Sequence, residues 1–305
     1  MRDVDRWGAL LAAAALAAGL CAACSSTSDP GKVTTVGAEN EYANVIAQIG
    51  GPYVTVAAVM SNPNTDPHTF EASPEVAQTV GAAQLVVQNG AGYDGFMDTI
   101  EAASPKAGRR VIDVQTLLRL PDSTSNPHLW YRPSTMPKVA GAIANDLAGL
   151  APAHAAYFRS AAATFDSSLQ PWNQAIAALT SSFPGAPVAT TEPVADDMLQ
   201  ACGLDDLTPW PFQADVMNGI DPSAQDVSLE QSFLTQQQAK VFIYNQQVTD
   251  SLTQSLLTLA EQNRIPVVGV YETMPTPGYD YQSWMVAEVD AVQRALADGV
   301  STTRL

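Results

Sequence analysis

Strand-forming segments alternate with helical ones in two stretches of this chain, and a long alanine-rich stretch lies between them. In the first stretch, residues 33–37 read as a strand, and 39–49 have helical spacing that stops at Gly50-Gly51. Residues 54–59 read as a second strand. Ser73-Pro74-Glu75 opens a helix, with Ser73 as N-cap, Pro74 in the first turn and Glu75 at the positive end of the helix dipole. A short buried strand at 85–87, a helix over about 93–103 and a strand at 110–114 complete the half. From 135 to about 182, apolar positions recur at helical spacing with few strand formers; Pro152 reads as a helix start and Pro171 as a kink or break. The order then returns: strand 188–191, helix 193–200 ending at Gly203, strand 240–244, helix about 249–262, strand 265–270. Such alternation predicts an α/β protein of two lobes, each with a mainly parallel sheet flanked by helices, joined by a long helical connector. The expected boundaries are 33–134 for the N-terminal lobe, 135–182 for the connector and 183–305 for the C-terminal lobe.

The 305 residues suffice for two cores of ordinary size, and 46% hydrophobic with 15% charged residues is a globular composition. Acidic residues outnumber basic ones 31 to 14, a formal net charge of −17, which argues against a nucleic-acid partner. At the N-terminus, Arg2 and Arg6 precede an apolar run from Trp7 to Leu20 that is short for a membrane span. It ends at Cys21-Ala22-Ala23-Cys24, followed by Ser25, Ser26, Thr27 and Ser28. That order resembles a bacterial lipoprotein signal over residues 1–24, with Cys24 lipidated as the first mature residue and 25–32 as a tether. An ordinary secretory signal cut nearby is the alternative. Only Cys202 would then remain, so no internal disulfide framework exists, and its apolar setting reads as a small buried hydrophobe.

The chain has three histidines, and two directly follow a proline, in Asp66-Pro67-His68 and Asn126-Pro127-His128. Proline fixes its own φ and pushes its predecessor toward an extended conformation, so each imidazole projects from a stiffened loop. Histidine is the commonest metal ligand, and coordination rewards a preset position. In open α/β sheets, ligands bind beyond the carboxyl ends of strands. His68 and His128 lie beyond the strands at 54–59 and 110–114; Glu192 follows the strand at 188–191 and Glu272 the strand at 265–270. Taken singly, Glu192 could be an acid at a helix N-terminus, Glu272 a solvated loop carboxylate and either histidine a satisfied core residue. Jointly, two histidines and two carboxylates, two per lobe, form a donor set for a first-row divalent cation. His154, on a connecting helix without polar companions, is assigned to packing.

Asp66-Pro67-His68-Thr69-Phe70-Glu71 with Ser73-Pro74 is similar to the metal-binding loop of zinc/manganese-type substrate-binding proteins of ABC importers. Asn126-Pro127-His128-Leu129-Trp130 resembles that family's second motif, and the helical stretch after it resembles the family's rigid interlobe backbone. The resemblance runs from about Val33 to Ala297. It implies His68 and His128 as the first two ligands and Glu192, in Thr191-Glu192-Pro193, as the third. The fourth is commonly aspartate; Glu272, in Tyr271-Glu272-Thr273, lengthens that arm by a methylene. Carboxylates are harder donors than imidazole, so the set leans toward Mn²⁺, although Zn²⁺ accepts the same ligands.

The resemblance implies a monomeric receptor outside the cytoplasm, anchored by lipid to the outer face of the bacterial cell membrane. It would capture Mn²⁺ or Zn²⁺ between its lobes and deliver it to an ABC permease and its ATPase, without covalent chemistry. Two alternatives use the same residues. A metal-dependent hydrolase needs an open coordination position and a nearby base, and no His-Glu-x-x-His helix is present. A metal-binding surface adhesin is the other.

Overall fold

The computed structural model describes residues 31–64 and 67–305. The leader, Cys24 and Asp66 therefore lie outside the described residues.

The first lobe runs β1 (Val33–Glu39), α1 (Asn40–Gly50), β2 (Val54–Met60), α2 (Pro74–Ala82), β3 (Leu85–Gln88), α3 (Phe96–Ala103), β4 (Arg110–Asp113) and α4 (Val114–Leu118). Its four strands are parallel, in the order β2-β1-β3-β4. Ser73 accepts from the Val76 amide at 3.4 Å and Pro74 occupies the first turn of α2, as the sequence predicts. Val114 is not the end of a strand. The Asp113 carboxylate accepts from the Thr116 amide at 2.7 Å and starts a short helix there. β1 turns directly into α1, and Gly37 makes that possible: a Cβ there would collide with the Ala43 backbone nitrogen.

Residues 135–182 are helical but not one rod. They form α5 (Thr135–Leu150), α6 (Ala155–Ser168) and α7 (Gln170–Ser182). Pro152 disfavours helical geometry at Ala151, whose φ of −134° ends α5. Pro171 lies in the first turn of α7, so it opens a helix rather than kinking one.

The second lobe continues with β5 (Pro187–Thr190), α8 (Asp196–Ala201), β6 (Asp205–Asp206), α9 (Trp210–Met217), α10 (Ala224–Thr235), β7 (Val241–Asn245), α11 (Ser251–Gln262), β8 (Val267–Val270) and α12 (Tyr281–Asp298). Its strands are also parallel, ordered β6-β5-β7-β8. In each sheet the placement reverses between the first and third strands of the lobe, so two switch points form, at the carboxyl ends of β1/β3 and β5/β7. Residues 302–303 cover the outer edge of β8, where Gly269 leaves room: a Cβ there would collide with the Thr303 carbonyl.

One apolar cluster includes residues of both sheets and of the helices between them. α5 and α6 pack on each other and on α1, while α7 packs along α12. Trp130, Tyr131, Trp172, Tyr281 and Trp284 are fully buried there. Edge-on ring contacts link them: Tyr131 to Trp284 at 5.6 Å and Trp172 to Tyr281 at 5.9 Å. Burying each such side chain contributes about 1.5–3 kcal/mol, and each edge-on pair about 0.5–1.5 kcal/mol more. Polar ties cross the same interface. The Asn40 amide donates to the Met274 carbonyl at 2.8 Å and accepts from the Met274 amide at 3.0 Å. His154 stacks on Tyr53 with ring centroids 3.7 Å apart, a packing role. Cys202 is buried, and burial pushes its thiol up to about 12.

Candidate metal centre

The first Pro-His loop is itself a short 3₁₀ turn, and the second leads into one at Leu129–Tyr131. Pro67–Thr69 closes with the Phe70 amide donating to the Pro67 carbonyl at 3.0 Å, which seats His68 at the mouth with 22% of its side chain exposed. The second loop is tied more heavily. Asn126 Oδ1 accepts from the His128 amide at 3.0 Å, the Asn126 amide donates to the Pro193 carbonyl across the lobes at 2.8 Å, and Asn89 donates to the Pro127 carbonyl at 2.8 Å. His128 is fully buried as a result.

Nδ1 of His128 lies 2.8 Å from Asn126 Oδ1, an oxygen that only accepts. Nδ1 therefore carries a proton toward Asn126, and Nε2 is the nitrogen that faces Glu272 and the cleft. Nε2 of His128 and Nε2 of His68 each stand 3.2 Å from Oε2 of Glu272. The donor atoms of these three residues lie within 4.8 Å of one another. Glu272 is completely buried just beyond β8. Its own amide and that of Thr273 donate to Gln247 Oε1 at 2.7 and 2.8 Å, which fixes the direction of the side chain.

Glu192 stands at the carboxyl end of β5, nearly fully buried, but outside the convergent group of three. It is joined to that group by Asn245 at the end of β7. One Asn245 amide nitrogen is 3.2 Å from Glu192 Oε2 and 2.5 Å from Glu272 Oε1. Of the four residues expected from the sequence, the structure thus converges His68, His128 and Glu272, and holds Glu192 one amide away.

Tyr93 donates its hydroxyl to Glu272 Oε2 at 2.9 Å. Burial first, and the Glu272 charge second, raise its phenol well above the ordinary value, so it remains a donor. For Glu272, burial acts to raise the carboxyl, yet the hydrogen bonds from His128 and then His68 outweigh it and hold the group well below the usual carboxylate range. Burial lowers His128, with Glu272 partly opposing. Glu272 is therefore the charged member, ringed by donors on both oxygens. Behind Tyr93 lie the buried carboxyls of Glu39, Glu41 and Asp94. Burial foremost raises all three, Asp94 to about 6 and the other two well above the ordinary value. The arrangement offers one fixed negative charge and two imidazoles to a cation entering from the His68 side.

Tyr93, Asn245 and Gln247 are absent from the sequence-derived set. Tyr93 and Asn245 carried a faint signal, since one follows the Gly-rich loop after β3 and the other ends β7 at a switch point. Gln247 carried none.

The family described as zinc-uptake complex component A, periplasmic (ZnuA), matches residues 36–295. Among solved structures, the periplasmic zinc binding protein TroA of Treponema pallidum is similar with a TM-score of 0.75 at 18% identity, covering 88% of this chain and 100% of that one. The solute-binding protein FpvC of Pseudomonas aeruginosa, solved in complex with Mn²⁺, gives 0.72 at 22% identity, covering 87% and 98%. At these identities the likeness is one of fold. A Thermotoga maritima protein described as "Putative metal-binding protein" is 31% identical over 101 residues, so the match spans about a third of each chain, 33% and 34%. With the match to the family covering both sheets and the helices between them, the chain belongs to the ZnuA family of periplasmic metal-binding solute receptors.

Proposed function

We propose that this protein is an extracytoplasmic receptor that captures Mn²⁺ or Zn²⁺ between its lobes and delivers it to an ABC permease driven by its ATPase. The observation that carries the reading is the convergence of His68, His128 and Glu272, contributed by two lobes, with donor atoms within 4.8 Å. Glu192 is the fourth ligand in this reading, turning from the Asn245 amide toward the cation. Zn²⁺ and Mn²⁺ both suit imidazole and carboxylate donors, and the oxygen-rich share of the set favours Mn²⁺ relative to an all-histidine site. TroA is described as zinc binding and FpvC was solved with Mn²⁺, so the shared fold accompanies either metal in those proteins. The receptor binds without covalent chemistry, acts as a monomer and is held at the outer face of the cell membrane through lipidated Cys24.

The test is calorimetric titration of the chelator-stripped mature protein with Zn²⁺ and Mn²⁺ in competition, repeated for His68→Ala, His128→Ala and Glu192→Ala. Micromolar or tighter binding, weakened in each variant, is expected. Absence of binding for both metals, or variants that bind as the wild type does, sinks the receptor reading.

A further inference from the structure

Glu288 takes no part in the proposed coordination, yet it is completely buried in the middle of α12. The Trp284 indole donates to its Oε1 at 2.8 Å, Tyr131 Oη lies 3.2 Å from the same oxygen, and Oε2 has no hydrogen-bond partner. The Tyr131 hydroxyl in turn joins two ligand-bearing loops. Tyr131 ends the 3₁₀ turn that follows His128, and its hydroxyl stands 2.8 Å from the Tyr271 carbonyl oxygen. That carbonyl belongs to the peptide bond leading into Glu272, whose amide nitrogen is held by Gln247 at 2.7 Å. One peptide unit is thereby fixed at its oxygen from the first lobe and at its nitrogen from the second.

A phenol has one proton to give, and a carbonyl can only accept. The bond to Tyr271 therefore uses the Tyr131 proton, and the contact between Tyr131 and Glu288 needs a proton from Glu288. A neutral Glu288 supplies it, and a chain from Glu288 through Tyr131 to Tyr271 is satisfied at every step. An ionised Glu288 competes for the Tyr131 proton, with the advantage of a charge-assisted acceptor. We propose that Glu288 is a positioning residue: as a neutral acid it keeps the Tyr131 hydroxyl on the Tyr271 carbonyl and so holds Glu272 toward the cation, and its ionisation releases that clamp. The inference rests on the metal-receptor reading.

The surroundings favour the neutral form. Burial pushes the Glu288 carboxyl up to about 8, against the Trp284 indole, the Tyr131 hydroxyl and the Tyr271 amide, which favour its charged form. The titratable groups facing it are Tyr131 and Tyr271. Glu41 of α1, Tyr244 of β7 and Arg304, which follows α12, act on those two phenols instead. α7, packed along α12, contains no titratable residue.

Two readouts test it between pH 6.5 and 9 on wild type, Glu288→Gln, Tyr131→Phe and the double variant. In the metal-free proteins, hydrogen exchange at residues 271–274, taken relative to Glu288→Gln, should rise in wild type as Glu288 ionises. In chelator-buffered Zn²⁺ titrations, wild-type affinity should fall about tenfold relative to Glu288→Gln across the range, a difference of about 1.4 kcal/mol. In the Tyr131→Phe background, Glu288→Gln should have no further effect on either readout. A wild-type to Glu288→Gln ratio that is flat with pH, or an effect of Glu288→Gln that persists without the Tyr131 hydroxyl, overturns the clamp. If the exchange step is present and no Zn²⁺ binds at any pH, the receptor reading fails while the clamp stands.

Discussion

Oε2 of Glu272, from the second lobe, stands 3.2 Å from Nε2 of His128, from the first. Neither atom belongs to a surface ion pair; both side chains are at 0% exposure. A cation entering between them replaces the donors now gathered on that oxygen, and the negative charge it meets is already fixed. Glu272→Gln keeps the size and the contacts to Gln247 through the backbone but removes the charge. We expect Zn²⁺ and Mn²⁺ affinity to drop by more than about 100-fold, beyond the 10–100-fold typical of groups that only orient a ligand. Competition against a chromophoric chelator measures it, with circular dichroism confirming the fold.

Asn126 is not among the converging donors, yet it fixes the His128 ring through the 2.8 Å contact to Nδ1. Asn126→Ala frees the ring and its tautomer, so affinity should fall about 10–100-fold. Asn126→Asp, which still accepts from Nδ1–H, should recover most of that loss. Equal losses in both variants would mean the tie to Pro193, not the ring, is what matters.

Gln247 holds two consecutive buried amides, those of Glu272 and Thr273. In Gln247→Ala both donors lose their acceptor where water does not replace it. Each buried orphan costs about 1–3 kcal/mol, so we expect stability to fall by on the order of 3 kcal/mol. Urea unfolding of the metal-free protein reads this directly as a lower midpoint at unchanged slope.

The histidines were legible because proline stiffens the chain on either side of them, a local effect that needs no knowledge of the fold. Glu272 was legible as a member of the converging group because it directly follows a strand, and parallel sheets present ligands there; the same rule pointed to Glu192, which stands outside that group. What the strand-end rule could not resolve is which carboxylate points inward. Asn245 decides that, by donating to both, and it sits 53 and 27 residues away in sequence. Gln247 and Tyr93 are of the same kind, single polar side chains whose role exists only once distant strands are adjacent. The connector was legible as helix but not as three helices, because Pro171 suits the first turn of a helix as well as a kink. α12 was not read as a helix, although Asp280 and Ser283 form a capping box at its start.

The second lobe carries a buried acid network that should make stability fall with rising pH. Gln213 donates to Asp196 Oδ1 at 3.2 Å, to Asp206 Oδ2 at 3.1 Å and to Thr190 Oγ1 at 2.8 Å, and Thr208 donates to Glu230 Oε1 at 3.3 Å. Burial pushes Asp196 up to about 8, with the Asp206 charge adding to it; burial also raises Glu230 to about 8 and Asp206 to about 6. These folded-state values lie above those of the unfolded chain, where carboxyls titrate near about 4. Below about pH 4 both states hold their protons and no stability is lost. Between that range and pH 8 the unfolded chain ionises while the folded one resists, so the unfolded state gains with each step in pH. The metal-free protein should accordingly melt highest near pH 5 and progressively lower toward pH 8. Asp196→Asn with Glu230→Gln keeps the acceptors for Gln213 and Thr208 and removes two of the ionising groups. At pH 8 the double variant should be more stable than wild type by about 2–4 kcal/mol, with little difference at pH 5. Glu39, Glu41 and Glu288, raised by the same cause, keep part of the slope in place. Calorimetric melting of both proteins across that range decides the matter: equal slopes in wild type and double variant would show that the network ionises freely in the folded state.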